Sequence, residues 1–369
     1  LVVAPRKSNA TSSANACWDY LDEQSREYFV NLLPDAEQLE IIAAASDFLT
    51  ERMPVERIRS SRDAESSIPQ SVWLEGAELG LLTLALPEEL GGSGRNIDDE
   101  VLLHVELGRR LAPGPFLAAT LAARVAARCG DLELAEQIGA GKAMVALAVL
   151  RGNGEIRPVK GTFDLLEPAG ASYALVLARS GAALVDIAEF GEPVVVESAD
   201  PGTRIASATV QSAQPLHWLA SDDDWVWGRA MVLSAAFLTG LATAATALAT
   251  EHAKTRVQFG KPIGVHQAIK HSCVNMELAA EAAHAQTLFA AIALDSGRDD
   301  ALLQMLSAVA VAGSAAVDNA AAGIQVFGGM GYTFESDMHL YLKRAHVFRH
   351  LFAEPTDVLA ELLAQERAQ

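Results

Sequence analysis

Basic residues are scarce in this sequence. Twenty-eight lysines and arginines stand against 47 aspartates and glutamates, a formal charge of −19 at pH 7. A surface that tracks a phosphate backbone needs the opposite balance, so nucleic acid is excluded as a partner, while a local basic patch for a small anion is not. Cysteine is scarcer still: Cys17, Cys129 and Cys273 are odd in number, scattered and without CxxC spacing. They read as reduced thiols of a cytoplasmic protein and imply no metal site. No apolar run reads as long and clean enough to span a bilayer. The richest, around 231–249, is mostly alanine, serine and threonine, so a soluble protein without membrane contact is expected. The opening stretch LVVAPRKSNATSSANACW lacks the apolar core of a secretory leader and reads as a disordered tail over 1–34.

Several chemical signatures are absent too. No GxSxG elbow occurs, which removes the common hydrolase reading. The glycine loops GGSG (91–94) and GGMG (328–331) neither follow a strand nor continue as GxGxxG, against a Rossmann dinucleotide site. A ferritin-like metal centre needs two Glu-x-x-His pairs and two further carboxylates. Glu281 and His284 form one pair and no second copy appears, so that pair reads as a solvated helix face.

Helical texture is abundant. Apolar spacing of three and four predicts helices in AEQLEIIAAASDFL after Asp35, in SIPQSVWLEGAELGLL, in IDDEVLLHVELGRRLA and in FLAATLAARVAARCG, giving a helical domain over 35–142. From residue 143 to 217 the texture is short β-type runs separated by RGNG, EPAG, RSG, GEP and ADPG, with Pro158, Pro168, Pro193, Pro201 and Pro215 among them. ALVLA-RSG-AALVDI reads as a hairpin. From 218 to 369 only Pro262 and Pro355 occur, and helices are expected near 221–256, 264–296, 300–326, 335–350 and 356–366. Their alanine content lets helix axes approach closely.

One of these helices breaks without a packing reason, at RVQFGKPIGVHQ (256–267). A later segment, QVFGGMGYT (325–333), ends another helix in glycines. Singly, Arg256 could complement the end of its own helix and Gly328 could be an ordinary cap. Together, RxxFGxxIxxxQ (Arg256, Phe259, Gly260, Ile263, Gln267) and QxFGGxGY (Gln325, Phe327, Gly328, Gly329, Gly331, Tyr332) resemble the acyl-CoA dehydrogenase family. WLEGAELGLLTLALPEELGGSG and VELGRRLAPGPF look like that family's first domain. The resemblance implies a mainly α fold with a small β domain: an N-terminal helical domain, a reduced middle β domain and a C-terminal four-helix bundle.

It also implies FAD as cofactor, held at a dimer interface, and an acyl-CoA thioester as substrate. In the family the arginine of RxxFG pairs with the pyrophosphate of a flavin bound mainly by the neighbouring subunit, while the glutamine and glycines of QxFGG line its adenosine end. Carried over, the cofactor-binding residues are Arg256, Gln258, Phe259, His266, Gln267, Gln325, Val326, Gly328 and Gly329. A guanidinium makes charge-assisted bonds to phosphate, and bare glycines let peptide groups approach a ligand.

The family's base does not carry over. Seven residues beyond Ala345 stands Phe352, and the alternative family position, counted back from Gly240, is Ala230. Glu354 is the nearest carboxylate to the first of these and is the candidate catalytic residue. The TEPxAGSD-type loop that holds the flavin ring is missing as well. These departures make the chain look similar to the non-catalytic subunit of a heteromeric α2β2 acyl-CoA dehydrogenase, as in bacterial steroid side-chain breakdown, that completes a catalytic partner's FAD site. The alternatives are a homo-oligomeric enzyme with a displaced base, Glu354 or Asp357, and a flavin-free scaffold of the same fold. The basic run YLKRAHVFRH (341–350) reads either as a local field for phosphates or as a solvated helix face.

Overall fold

The computed structural model describes residues 32–365. The tail expected over 1–34 falls almost wholly outside them, as does Cys17. Helix α1 (Ala36–Arg52) starts where the sequence places it, because Asp35 and Gln38 cap each other: the Gln38 N–H donates to the Asp35 carboxylate at 2.8 Å, and the Asp35 N–H donates to the Gln38 side chain at 3.0 Å. Helices α2 (Glu56–Ser60), α3 (Gln70–Glu78), α4 (Ile97–Arg109), α5 (Phe116–Arg128) and α6 (Leu132–Gly139) follow. Helix α3 ends before the expected LGLL because Gly80 turns left-handed, φ 84°.

The β region is one seven-stranded sheet in the order β5-β6-β2-β1-β3-β4-β7. Its strands are β1 (Met144–Ile156), β2 (Val159–Leu166), β3 (Ala171–Ala178), β4 (Gly181–Asp186), β5 (Val194–Val196), β6 (Ile205–Ala213) and β7 (His217–Ala220). The hairpin read from ALVLA-RSG-AALVDI is present, with β3 and β4 antiparallel from Tyr173–Asp186 to Ala178–Gly181. RGNG does not separate strands. It lies inside β1, where the register against β2 shifts between Arg151 and Glu155, so its glycines serve a bulge. One sheet face is the core of this layer, built on Phe163, Leu165, Val176, Val185 and Phe190.

The C-terminal helices are α7 (Val226–Thr255), α8 (Gln267–Asp295), α9 (Ala301–Phe327), α10 (Met338–Arg349) and α11 (Pro355–Ala364), each within a few residues of its expected span. Helices α7 and α9 are, against expectation, long and apolar enough for a membrane span, yet 83% of the apolar window of α7 is buried inside the fold. It is a core helix. The crossing of α7 on α4 is backbone against backbone: a Cβ on Gly240 would stand 2.0 Å from the Val105 carbonyl oxygen, and one on Gly108 2.0 Å from that of Phe237. Asn319 of α9 ties three helices, its amide donating to the Met276 carbonyl of α8 at 2.7 Å and the Thr246 hydroxyl of α7 at 3.1 Å.

Charge is buried at the same crossing. Arg229 of α7 donates to one carboxylate oxygen of Glu100 on α4 through Nε at 2.7 Å and Nη2 at 2.6 Å. One turn on, the fully buried His104 places Nδ1 2.8 Å from the Glu100 carbonyl oxygen, which puts its proton on Nδ1. Burial, with the Arg229 charge adding to it, lowers the His104 pKa from 6.5 to about 4.

Two outcomes follow from this packing. Gly240→Ala or Gly108→Ala is expected to cost at least ~2 kcal/mol in urea unfolding, whereas Gly329→Ala, with open space around it, leaves the midpoint unchanged. Equal midpoints for all three would disprove the close crossing. Because the folded-state pKa of His104 is depressed, its contribution is present above pH 6.5 and is lost as pH falls towards 4. Wild type should therefore lose up to about 3 kcal/mol more than His104→Phe between pH 7 and pH 4, read from denaturant melts at the two pH values.

Candidate nucleotide-binding edge and interior cavity

Helix α7 stops after Thr255 because Arg256 turns extended, φ −71° and ψ 119°, its N–H donating to the His252 carbonyl at 2.8 Å. The chain then forms a minimal hairpin, Val257–Gln258 against Lys261–Pro262. Its two turn residues are both left-handed, Phe259 at φ 52° and Gly260 at φ 77°, as the tightest hairpins require. A phenylalanine is costly there, and it is also 96% exposed. The return strand lies on α7: the Ile263 N–H donates to the Arg256 carbonyl at 2.8 Å, and a Cβ on Gly264 would come within 2.8 Å of the Ala253 carbonyl oxygen.

Helix α9 ends beside this hairpin. Gly328 is left-handed at φ 65°, and its N–H donates to the Gln325 carbonyl. A single turn, Gly328–Tyr332, follows with Gly331 packed against Ile324. The rings of His252 and Phe327 stack at 4.1 Å between centroids and 13° between planes. The helix ends that lead into the two motifs, far apart in sequence, therefore lie side by side at one edge of the bundle. Arg256, Gln258, His266, Gln267 and Gln325 are all exposed. Among the described residues, no hydrogen bond or ion pair engages any of their side chains. Gly328 and Gly329 have nothing within 4 Å of a would-be Cβ. Val326 alone among the expected cofactor residues is buried, at 5% exposure, and packs in the core. Around this edge Val257, Phe259, Val274, Leu278, Tyr332 and Phe334 are exposed apolar side chains.

The interior is different. A cavity of about 50 Å³ lies between α4, α5, α7, α10 and the sheet, with His104, Glu167, Leu233, Phe237, Arg344 and Leu351 among its walls. That is room for one or two waters, against roughly 300–1,000 Å³ for a ligand pocket. Phe237 and Phe348, both in its wall, stack at 4.0 Å and 12°. Both family base positions adjoin it in the chain: Ala230 is fully buried one turn before Leu233, and Phe352 follows Leu351. Glu354 does not line it. That residue caps α11 with its side chain 64% exposed, and His350 Nδ1 lies 2.9 Å from its carboxylate.

A buried polar cluster beside the cavity escaped the sequence reading. Arg344, 1% exposed, forms an ion pair with Asp200, and its Nη1 donates to the Ala112 carbonyl at 3.2 Å. Glu167 accepts from the Ser67 hydroxyl at 2.6 Å and the Arg204 N–H at 2.9 Å, and burial pushes its pKa up. With one hydrogen bond at each oxygen, Glu167 ties three parts of the fold together. The basic run 341–350 is thus no single surface field, since its central arginine is internal. Among the described residues no cluster of His, Cys, Asp or Glu could hold a metal ion.

The donor set at the hairpin edge fits a diphosphate nucleotide: an unpaired guanidinium, two glycines with bare backbone and free amide side chains. The interior cavity does not fit a flavin ring or an acyl thioester.

Comparison with known proteins identifies the family and the fold. The family model described as acyl-CoA dehydrogenase, N-terminal domain, matches residues 35–143, and that described as acyl-CoA dehydrogenase, C-terminal domain, matches residues 226–365. Acyl-CoA dehydrogenase IpdE2 of Mycobacterium tuberculosis is 32% identical over 311 residues, 83% of this chain and 89% of that protein. Acyl-CoA dehydrogenase FadE34 of the same organism is 36% identical over 282 residues, 73% of this chain but 38% of that longer protein. Among solved structures, the ChsE4-ChsE5 complex of Mycobacterium tuberculosis superposes with a TM-score of 0.80 at 23% identity, covering 92% of this chain and 100% of that one. Butyryl-CoA dehydrogenase of Megasphaera elsdenii gives 0.76 at 18% identity, covering 91% and 100%. Those two likenesses speak for the fold, and the domain and sequence matches for the family: the chain belongs to the acyl-CoA dehydrogenases, FAD-dependent oxidoreductases.

Proposed function

We propose that this chain is the base-lacking subunit of a cytoplasmic, heteromeric acyl-CoA dehydrogenase, acting on an acyl-CoA thioester of fatty-acid or steroid side-chain breakdown. In this reading Arg256 bonds the FAD diphosphate, Gln325 and the backbone of Gly328 and Gly329 meet its adenosine end, and Gln258, Phe259, His266 and Gln267 flank it. The bound FAD accepts the hydride of the α,β-dehydrogenation. The partner subunit supplies the carboxylate that takes the α-proton, a role burial can tune.

The observation that carries the proposal is the separation of the two half-sites along α7. Ala230 and Arg256 lie near opposite ends of one rigid helix, about 40 Å apart at ~1.5 Å per residue, well beyond the span of a dinucleotide. That separation supports a cofactor that meets Arg256 at the surface, against another chain, and not in this chain's own interior. The exposed apolar ring around it supplies the contact area. The ChsE4-ChsE5 likeness supports a heteromeric assembly, and the small cavity supports the assignment of chemistry to the partner.

The complex isolated through a tag on this chain should hold about one flavin per two chains by visible absorption, and this chain alone should be colourless. A yellow, active homo-oligomer of this chain overturns the assignment. Arg256→Ala should weaken FAD binding to the complex by on the order of 10- to 150-fold, the worth of a charge-assisted hydrogen bond. The melting temperature of the chain should not change, since no other side chain relies on that guanidinium. Glu354→Gln should leave turnover within about twofold of wild type in a stopped assay; a collapse of turnover with flavin retained would make Glu354 the base and this subunit catalytic.

A further inference from the structure

Arg256, just past the end of α7, and Gln325, in the last turn of α9, can grip one nucleotide only if the spacing between those two helix ends is fixed. Neither the hairpin nor the glycine turn that follows them fixes it by itself. The hairpin has two residues per strand, and its Phe259 tip is solvated. A Cβ at 328 or 329 would meet nothing within 4 Å, and among the described residues neither the Arg256 nor the Gln325 side chain has a hydrogen-bond or ion-pair partner.

The aromatic stack joins them. His252 lies one helical turn before Arg256 and accepts the Arg256 N–H at its carbonyl, 2.8 Å away. Phe327 is two residues beyond Gln325 and is the last residue of α9. Their rings lie face on at 4.1 Å, so the final turn of α7 is registered against the final turn of α9. The hairpin is in turn held to α7 through Ile263 and Gly264, as described above. The chain of contacts runs from hairpin to α7, through the stack, to the glycine turn.

We propose that His252 is a positioning residue of the nucleotide edge, holding Arg256 and Gln325 at the spacing that one diphosphate-adenosine moiety requires by stacking on Phe327. This rests on the reading of Arg256 and Gln325 as cofactor ligands. What the position needs is a flat uncharged ring. The imidazole meets that need because burial, and then the charge of Arg256 facing it, hold its pKa below 6.5; an imidazolium would repel Arg256.

The test uses the tagged complex, stripped of flavin and re-titrated with FAD, and compares His252→Ala, His252→Phe and Arg256→Ala. Hydrogen exchange over residues 256–266 and 325–333 is followed in parallel, a readout independent of flavin and of turnover. His252→Ala should weaken FAD by roughly five- to tenfold, the scale of one aromatic pair, and speed exchange in both segments together. His252→Phe should restore both to within twofold of wild type. Wild-type behaviour of His252→Ala, or failure of His252→Phe to rescue, overturns the positioning role while Arg256→Ala still weakens FAD. If Arg256→Ala leaves FAD binding unchanged, the cofactor reading itself falls and the nucleotide role of His252 falls with it.

Discussion

The close backbone crossing of α7 on α4 is the constraint from which the rest of the molecule takes its shape. Two helices can approach until carbonyls meet α-carbons only where both carry glycine, and Gly108 and Gly240 supply that pair. The contact leaves no freedom to slide or rotate α7. The Glu100–Arg229 ion pair, buried beside His104, sets the same register with charge; a pair so placed resists any shift that would separate its members. Asn319 then fixes α8 and α9 to α7 from the opposite side. A thirty-residue helix held this way delivers its C-terminal end, and Arg256 with it, to one defined place on the surface.

Much of this was legible in the sequence, for physical reasons. Helix α1 could be read because Asp35 and Gln38 are local and sufficient. The C-terminal helices could be read because only two prolines interrupt them, and the β3–β4 hairpin because RSG sits between two apolar alternations. That the helix ends carrying Arg256 and Gln325 are neighbours was accessible only through resemblance: no periodicity tells which helix ends share a corner of the bundle. The His252–Phe327 stack completes that corner and had no signal, since a histidine in an alanine-rich helix looks like a solvated face.

What escaped the sequence was set by contacts distant along the chain. Arg344 looked like one cation among several in a basic run, and only the partnership with Asp200, 144 residues away, makes it internal. Glu167 looked like the start of a turn, and burial against Ser67 and Arg204 turns it into a tie between layers. RGNG carried every mark of a break, yet pairing on β2 draws it into a strand as a bulge. In each case tertiary partners overrode a correct local signal.

The electrostatics of the whole chain bear on the nucleotide edge. In a protein of charge −19, a cation finds carboxylates readily: Arg52 pairs with Glu75, Arg95 with Glu37, Arg179 with Glu361, Arg298 with Asp300 and Arg344 with Asp200. Arg256 stands among exposed apolar and amide side chains and forms no ion pair among the described residues. An acidic background also repels an approaching phosphate, so a diphosphate can be held only where carboxylates are kept away from a concentrated positive site. The unpaired arginine, the stacked His252, whose pKa burial lowers, and the apolar margin meet that condition together. The field that discourages anions elsewhere on the surface thus leaves this edge, with its unpaired guanidinium, as a place suited to an anionic ligand.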